Sequence, residues 1–376
     1  NARYGLYIAD YGNDRVTSTA YDLYLQGSGI FPSGFRAIQT ENPNLKWETT
    51  IQYNAGVDFA LFRNELYGTA DIYLKKVKDM LIQPAYLASL GEGGASWSNG
   101  PSLQNWGMEF TVGYRHTTAY GFGYNISGNL DFFRNRVTYL PETTTGSYAH
   151  TTTENLVQAK VPYGSIVGYV VDGLYQNREE VLACGQENAR VGGLKYADLN
   201  GDGRINADDQ TWIFNPVPDF SWGPNVSLNY KDFDLAMFFQ GVCGVDIYNN
   251  QKFQTDFYSI TDAGSNKGNR MLQAWTQDNT SSTIPALTTN NTGDEGRAST
   301  YYVEHGSWLK LRSLQIGYNM PSSLLKKVNM TSARFYVSGQ NIFTLKSDGF
   351  TVSDPENPNW AYPHATSVSF GLQLGF

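Results

Sequence analysis

The chain has 376 residues and carries 27 Lys and Arg against 35 Asp and Glu, a formal charge of −8; this balance argues against a nucleic-acid partner and offers no polybasic patch for anionic lipid. Aromatics make up 14% of the residues, with Gly 38 beside them, a mixture that suits many aromatic-flanked strands and excludes a helix bundle. No run of about 18 apolar residues exists, which excludes a transmembrane helix but not a barrel, whose strands are apolar only on alternate residues.

Arg3 to Tyr11 and Ala20 to Gln26 are short aromatic-rich candidates for strands, and a Gly/Pro-containing stretch from Gly27 to Pro43 follows. The first sustained alternation begins at Ile51, where Tyr53, Ala55, Val57, Phe59 and Leu61 alternate with Gln52, Asn54, Gly56, Asp58 and Ala60. Phe62 to Glu65 reads as a tight turn, and Leu66, Gly68, Ala70, Ile72 and Leu74 carry the return strand. A long loop over 76–105 precedes a second hairpin. Met108, Phe110, Val112, Tyr114 and His116 lead through Thr118 to Gly121 into Phe122, Tyr124, Ile126, Leu130 and Phe132.

A very long insertion spans 137–220. Val226, Leu228 and Tyr230 then turn through Lys231 and Asp232 into Phe233, Leu235, Met237 and Phe239, a third hairpin of the same build. After a polar loop over 244–306, the apolar phase of Ser307 to Asn319 slips from Leu309 and Leu311 to Leu314, Ile316 and Tyr318, the signature of a one-residue bulge. Ala333, Phe335, Val337 and Gly339 form the next strand, and a loop holding Ser353 to Pro358 leads to the last. In that final segment Val368, Phe370, Leu372, Leu374 and Phe376 alternate with Ser367, Ser369, Gly371, Gln373 and Gly375.

Short turns and long loops therefore alternate along the chain. In outer-membrane barrels the short turns are periplasmic and the long loops extracellular. That parity predicts a terminal strand that ends in the periplasm with Val368, Phe370, Leu372, Leu374 and Phe376 facing lipid. It also places the 137–220 insertion on the extracellular side. A soluble sandwich has no reason to keep its long loops at one end, and its solvent face would carry more Lys and Glu.

The sharpest local motif is Asp198 to Asp209, DLNGDGRINADD. Calcium loops place oxygen ligands at the first, third, fifth, seventh, ninth and twelfth positions, with Gly at the sixth for the sharp turn. Here those are Asp198, Asn200, Asp202, the carbonyl of Arg204, Asn206 and Asp209, with Gly203 in the turn. Position twelve is Asp rather than Glu, as in the loops of cellulosomal dockerin modules, which the run resembles. The expectation is a structural Ca2+. The competing reading is an Asx turn that organises the loop without an ion.

Catalysis finds little support. His116, His150, His305 and His364 sit far apart in sequence, and no HExxH, GxSxG or P-loop occurs. The acid pairs Glu179–Glu180 and Asp208–Asp209 read as solvated loop residues rather than a glycosidase pair. Trp97, Trp106, Trp212, Trp275 and Trp360 could each stack on a sugar ring, but girdle or loop packing is the better reading. Only Cys184 and Cys243 occur, so there is no disulfide framework, and whether they pair is open.

Several segments resemble the SusC/RagA family of TonB-dependent outer-membrane transporters. They are NPNLKWE at Asn42 to Glu48, GYVVDGLYQNREE at Gly168 to Glu180, the run from Lys195 to Gly223, Tyr230 to Asn249, Ser307 to Pro321, and Ala333 to Leu345. The resemblance implies a barrel of about 22 strands with an N-terminal plug. It further implies energy supplied through TonB–ExbB–ExbD, a SusD-like surface lipoprotein lid, and import of oligosaccharides or oligopeptides. The closing aromatic is expected to serve as part of the signal for barrel assembly.

Against that pattern the chain is expected to be the C-terminal half, about ten or eleven strands, a processed or partial piece lacking the plug, the TonB box and the first part of the barrel. Another segment or chain would complete the wall. The other reading is a soluble all-β glycan-binding module with a calcium-stabilised loop.

Overall fold

In a computed structural model the described residues are 16–17, 36–37, 42–82, 97–139, 162–257, 266–288, 295–358 and 362–376. The main element is one nine-stranded antiparallel sheet in which every strand pairs with its neighbours in sequence. Its strands are β1 (Thr49–Leu61), β2 (Leu66–Lys78), β3 (Ser102–Thr117), β4 (Phe122–Tyr139), β5 (Phe220–Tyr230), β6 (Phe233–Cys243), β7 (Trp308–Asn319), β8 (Ser332–Lys346) and β9 (Ser367–Gly375). The two further strands expected at Arg3 to Tyr11 and Ala20 to Gln26 lie outside the described residues.

Alternation forces these segments into strands, and the register shows what it achieves. Ile126, Val226, Met237, Leu314, Gly339 and Val368 are direct cross-strand partners, as are Tyr124, Leu228, Leu235, Ile316, Val337 and Phe370. The row nearest the turns is Phe122, Tyr230, Phe233, Tyr318, Phe335 and Leu372. One face is thus apolar across six strands, aliphatic at mid-height. Aromatic contacts flank it at both ends: Phe233 lies 4.8 Å from Tyr318 at the turn end, and Phe132 lies 5.9 Å from Phe220 at the loop end.

From the row of Phe122 to that of Phe132 the strand rises about 33 Å at roughly 3.3 Å per residue. At the tilt of about 40° usual in membrane barrels, this becomes about 25 Å of height, the apolar band of that class. Among the described residues little covers this face: Phe370 is 81% exposed. In water such a surface would be an aggregation patch, whereas lipid removes the penalty.

The opposite face is small and polar. Asn125, Ser227, Ala236, Gln315, Ser338 and Ser369 form one row, and Gly123, Asn229, Asp234, Gly317, Tyr336 and Gly371 the next. In the second row each glycine stands beside a larger residue for a reason of space. A Cβ on Gly371 would stand 2.0 Å from Tyr336 Cζ, and one on Gly317 would stand 2.5 Å from Asp234 Oδ1. The Arg334 guanidinium meets that same Asp234 carboxylate at 2.6 Å.

The phase slip expected in β7 is present. Phe238 pairs with Ser313 and Phe239 with Leu311, leaving Arg312 as the extra residue of a bulge. Lys310 and Ser313 therefore both point to the polar face, although their separation in an unbroken strand would place them on opposite faces.

By its contacts the chain forms two compact units: Asn1–Asn54 with Tyr73–Trp106 and Asn135–Tyr163, and Ala55–Ile72 with Gly107–Arg134 and Gly164–Phe376. In the first, the NPNLKWE segment is tied down by Asn99, whose amide donates to Lys46 O at 2.7 Å and accepts from Lys46 N at 2.7 Å. Glu48 Oε1 accepts from Leu81 N at 2.7 Å. The second unit contains the long connections described next.

The strand ends joined by the short connections, 62–65, 118–121, 231–232 and 320–331, and those joined by the long ones, 79–101, 140–219, 244–307 and 347–366, lie at opposite ends of the strand meander, since antiparallel neighbours alternate direction. The insertion is three residues shorter than expected at its start, because β4 continues through Tyr139. Its part over 140–161 lies outside the described residues.

Candidate functional site

The long connections were expected to be polar loops; two of them instead fold together. Residues 162–219 supply two short hairpins, Ile166–Tyr169 paired with Gln210–Phe214 and Val171–Leu174 paired with Leu194–Tyr196. Residues 244–307 supply a third, Asp246–Tyr248 with Val303–His305. Between them lies a core of Tyr169, Leu174, Leu194, Tyr196, Phe257, Trp275 and Tyr302, each buried. A large side chain buried in this way contributes about 1.5–3 kcal/mol, so the two connections hold each other as a cap. Trp275 Nε1 donates to Gln176 Oε1 at 2.8 Å across this junction. Arg190 joins the same pair of segments, donating to Glu295 Oε1 at 2.6 Å and to Ala286 O at 2.9 Å.

Polar groups inside the cap are matched. Lys252 Nζ lies 3.0 Å from Glu304 Oε1 and donates to Tyr301 O at 2.8 Å. Glu304 also accepts from Asn249 Nδ2 at 3.0 Å and from Thr351 N at 2.9 Å. Burial pushes the Glu304 carboxyl up, but Lys252 and the Thr351 donors outweigh it and hold the group below its usual range. For Lys252, burial outweighs the attraction of Glu304 and lowers its pKa. Burial pushes the Tyr301 and Tyr302 phenols far up, so both remain neutral donors, Tyr301 to Asp256 and Tyr302 to Glu295 O.

The 198–209 loop sits in the cap with the hydrogen bonding that its spacing requires. Asp198 accepts from Gly201 N at 2.7 Å and Gly203 N at 2.8 Å, Asn200 from Asp202 N at 2.9 Å, and Asp202 from Arg204 N at 2.8 Å. Gly201 and Gly203 have φ of +76° and +77°, a left-handed turn that only glycine takes without cost. Asn206 caps the following turn through Asp208 N at 2.7 Å, and the buried Asp209 accepts from Leu199 N and Asn206 N, each at 2.9 Å. The Gly203 amide, chief among the backbone donors, holds Asp198 below its usual pKa.

Both sequence readings share this geometry. Each of these oxygens that takes one N–H keeps a second lone pair, which is donor chemistry suited to a hard cation, but among the described residues only Asp354, Glu356 and His364 bring three such side-chain ligand atoms within 4.8 Å of one another. The backbone amides also stabilise the carboxylates by themselves. The loop's side chains are half-buried or exposed except for Asp209.

A second constellation, not anticipated from the sequence as a site, lies on the polar face of the sheet. Lys310, at the β7 bulge, is 1% exposed. Its Nζ donates to Asp354 Oδ1 at 2.7 Å and to Glu356, both in the connection between β8 and β9. Arg312 pairs with Glu356 as well and donates to Gln240 Oε1 on β6 at 2.7 Å. His364 Nδ1 lies 2.9 Å from Asp354 Oδ2, and its backbone N donates to the same carboxylate at 2.9 Å. The Trp308 ring closes the site, with Lys310 Nζ 5.3 Å and Arg312 Cζ 5.6 Å from its centroid. Burial pushes Asp354 up, but Lys310 and the His364 and Glu356 amides override it and hold the carboxyl far below its usual range.

The remaining candidates take local roles. Trp275 belongs to the cap core, Trp212 lies in a cap hairpin, Trp106 is 41% exposed on β3, and Trp360 lies outside the described residues. Glu180 stabilises a helix start, accepting from Asn177 Nδ2 at 3.0 Å and Gln176 N at 3.1 Å. Cys184 and Cys243 are free thiols. His116 pairs with Glu65 at 3.0 Å, and His150 lies outside the described residues. The signal for the missed site was present in two separated pieces, the phase slip at Arg312 and the acid-bearing Ser353 to Pro358 loop. Nothing in the sequence joins them.

Comparison with known proteins bears on the whole arrangement. Residues 9–230 match the family described as TonB dependent receptor-like, beta-barrel. TonB-dependent receptor P3 of Formosa agariphila is 32% identical over 363 residues, covering 89% of this chain and 35% of its own length. TonB-dependent receptor SusC of Bacteroides thetaiotaomicron is 27% identical over 351 residues, covering 89% of this chain and 32% of its own. The chain thus spans about a third of the length of the curated relatives it matches. The RagAB peptide transporter structure superposes with a TM-score of 0.72 at 23% identity, over 92% of this chain and 37% of that one.

Proposed function

The chain belongs to the TonB-dependent receptor-like β-barrel family, and from that premise we propose that it provides part of the barrel wall and the surface cap of an outer-membrane importer of oligosaccharides or oligopeptides. In this reading the apolar rows face lipid and the Ser, Asn and Gln rows line the lumen. The long connections stand at the cell surface, and Phe376 ends in the periplasm.

The observation that carries this is that the strand ends joined by the long connections lie at one end of the sheet, with the described parts of two of those connections packed into a shared apolar core. A flexible rim would be a poor seat for a partner, whereas a pre-ordered cap loses little entropy when a lid closes on it. We assign that lid to a SusD-like surface lipoprotein, and the energy to TonB–ExbB–ExbD acting through a plug segment. The 198–209 loop is assigned a structural cation, Ca2+ by its oxygen donors, that stiffens the cap and takes no part in chemistry. The soluble glycan-binding alternative is disfavoured, because it leaves a six-strand apolar face uncovered in water.

Gene disruption tests the proposal. The disrupted strain should lose growth on one class of oligomer, glycan or peptide, supplied as the sole carbon or nitrogen source, while still growing on the monomers, and the intact gene should restore it. Unimpaired growth and unimpaired uptake of fluorescent oligomers of both classes would refute it.

A further inference from the structure

The connection between β8 and β9 adds nothing to the apolar core of the cap, although Thr351 bonds Glu304 and Asn249 at the cap's edge, and the placement of its acidic part follows from one buried lysine. Lys310 lies in the polar row with Gln240 and Thr344, so it points to the lumen side of the wall. A lysine there should be bathed in water. It is instead 1% exposed, and the groups that cover it are Asp354 and Glu356 of the 347–366 connection. That connection must therefore fold inward over the polar face rather than outward from the rim.

Both ends of this strap are fastened. At its start, Lys346 Nζ donates to Val352 O at 2.9 Å, and Val352 is 1% exposed beneath it. At its return, Asn341 Nδ2 donates to Ala365 O at 3.2 Å and Thr366 Oγ1 to Asn341 O at 2.8 Å. Asp354, Glu356 and His364 have ligand atoms within 4.8 Å of one another, which is a spacing suited to a metal ion. The charge a metal would bring is already supplied by the Lys310 ammonium, 2.7 Å from Asp354, and by the Arg312 guanidinium on Glu356. The cluster is a fastening between chain segments.

Resting on the importer reading above, we infer that Lys310 and Arg312 are positioning residues. They lock the described parts of the strap, 347–358 and 362–366, inside the lumen, where they set the cross-section open to passing cargo. The bulge is what makes this possible: it turns Arg312 and Lys310 toward the same carboxylate-bearing loop while Leu309, Leu311, Leu314 and Ile316 keep to the apolar face. A buried pair that loses one partner leaves an uncompensated charge, so the strap should detach when either side is neutralised.

The test uses the full-length receptor in intact cells, with Cys184→Ser and Cys243→Ser as background. One reporter is Val352→Cys, which is shielded while the strap is closed. The other is Gln340→Cys, an exposed polar-face position paired with Ser313 and Ser367 just past the bulge. Lys310→Met with Arg312→Gln removes the fastening from the wall; Asp354→Asn with Glu356→Gln removes it from the strap and leaves β7 intact should the first variant fail to assemble. Released straps should raise the labelling rate of Val352→Cys at least tenfold. They should also raise the largest polyethylene-glycol maleimide, added from outside, that reaches Gln340→Cys. Unchanged labelling of Val352→Cys overturns the fastening. Increased labelling there with an unchanged size limit at Gln340→Cys overturns the role in cross-section. A receptor that imports no oligomer would refute the preceding reading without altering either labelling result.

Discussion

Replacing Gly192 with Ala should loosen the entire cap, from both connections at once. Gly192 has φ +72°, and a Cβ there would stand 2.6 Å from Ala286 Cβ and 2.6 Å from Trp275 Cε3. Neither neighbour is the free end of a flexible chain, since Trp275 is buried in the core and its indole is bonded to Gln176. The backbone around it is also committed: Gly192 N donates to Tyr175 O at 2.7 Å and Gly192 O accepts from Ala286 N at 2.8 Å.

A left-handed residue with a side chain costs about 1–2 kcal/mol, and overpacking a tight site costs about 1–3 kcal/mol. Together these give roughly 2–5 kcal/mol, or about 30- to 4,000-fold in the opening equilibrium. Hydrogen exchange on the full-length receptor in nanodiscs reads this directly. Peptides from 168–176 and 190–196 and those from 246–257 and 269–286 should lose protection together, with β5 to β9 unchanged. Loss confined to one connection, or a change below threefold, would refute the shared core.

Three further outcomes follow from the same contacts. Removing divalent cations with EGTA should raise protease cleavage within 198–209 several-fold and leave the sheet intact, whereas unchanged cleavage counts against a bound ion. Asp354 and Glu304 both titrate below their ordinary values, so the stabilisation they provide is complete above the unfolded carboxylate pKa of about 4 and is lost as pH falls through the depressed folded values. Exchange protection of the strap and cap, corrected for intrinsic rate, should hold constant from about pH 5 to 8 and fall below pH ~4; a fall near neutrality would contradict the assignment. Gly371→Val places a Cβ 2.0 Å from Tyr336 Cζ and should reduce the heat-resistant assembled fraction in the membrane, with Tyr336→Ala restoring it in the same chain. Failure of that rescue would show that the ring is not the obstacle.

Much of the wall was legible because a strand's two faces are written every second residue. Val226, Leu228 and Tyr230 and their partners on β6 needed only the turn at Lys231 and Asp232 to fix their register, and the slip of apolar phase between Leu311 and Leu314 by itself marks the bulge at Arg312. Strand ends were less legible: β3 begins at Ser102, where Ser102 to Trp106 carry no clean alternation and pairing alone extends the ladder. The cap was not legible. Tyr169, Leu194, Phe257 and Trp275 are scattered singly through polar sequence, so no periodicity marks them as one core, and their meeting depends on contacts between two separate connections. The same holds for the Lys310 fastening, where a strand and a loop more than forty residues apart meet through charges that read, singly, as solvated. The 198–209 loop stands between these cases, because its hydrogen bonds are local and its sequence dictates them.

The central claim is that the nine-stranded sheet is a membrane wall with lipid on one side and lumen on the other. Spin labels at single cysteines along β8 and β9 in the full-length receptor, within lipid bilayers, test it most directly. Phe335, Val337, Phe370 and Leu372 should be accessible to dissolved oxygen and shielded from an aqueous nickel chelate, while Tyr336, Ser338, Ser369 and Gln373 should show no lipid exposure, so that the pattern reverses at every residue. Nickel accessibility at Phe335, Val337, Phe370 and Leu372, or a pattern without period two, would contradict the account.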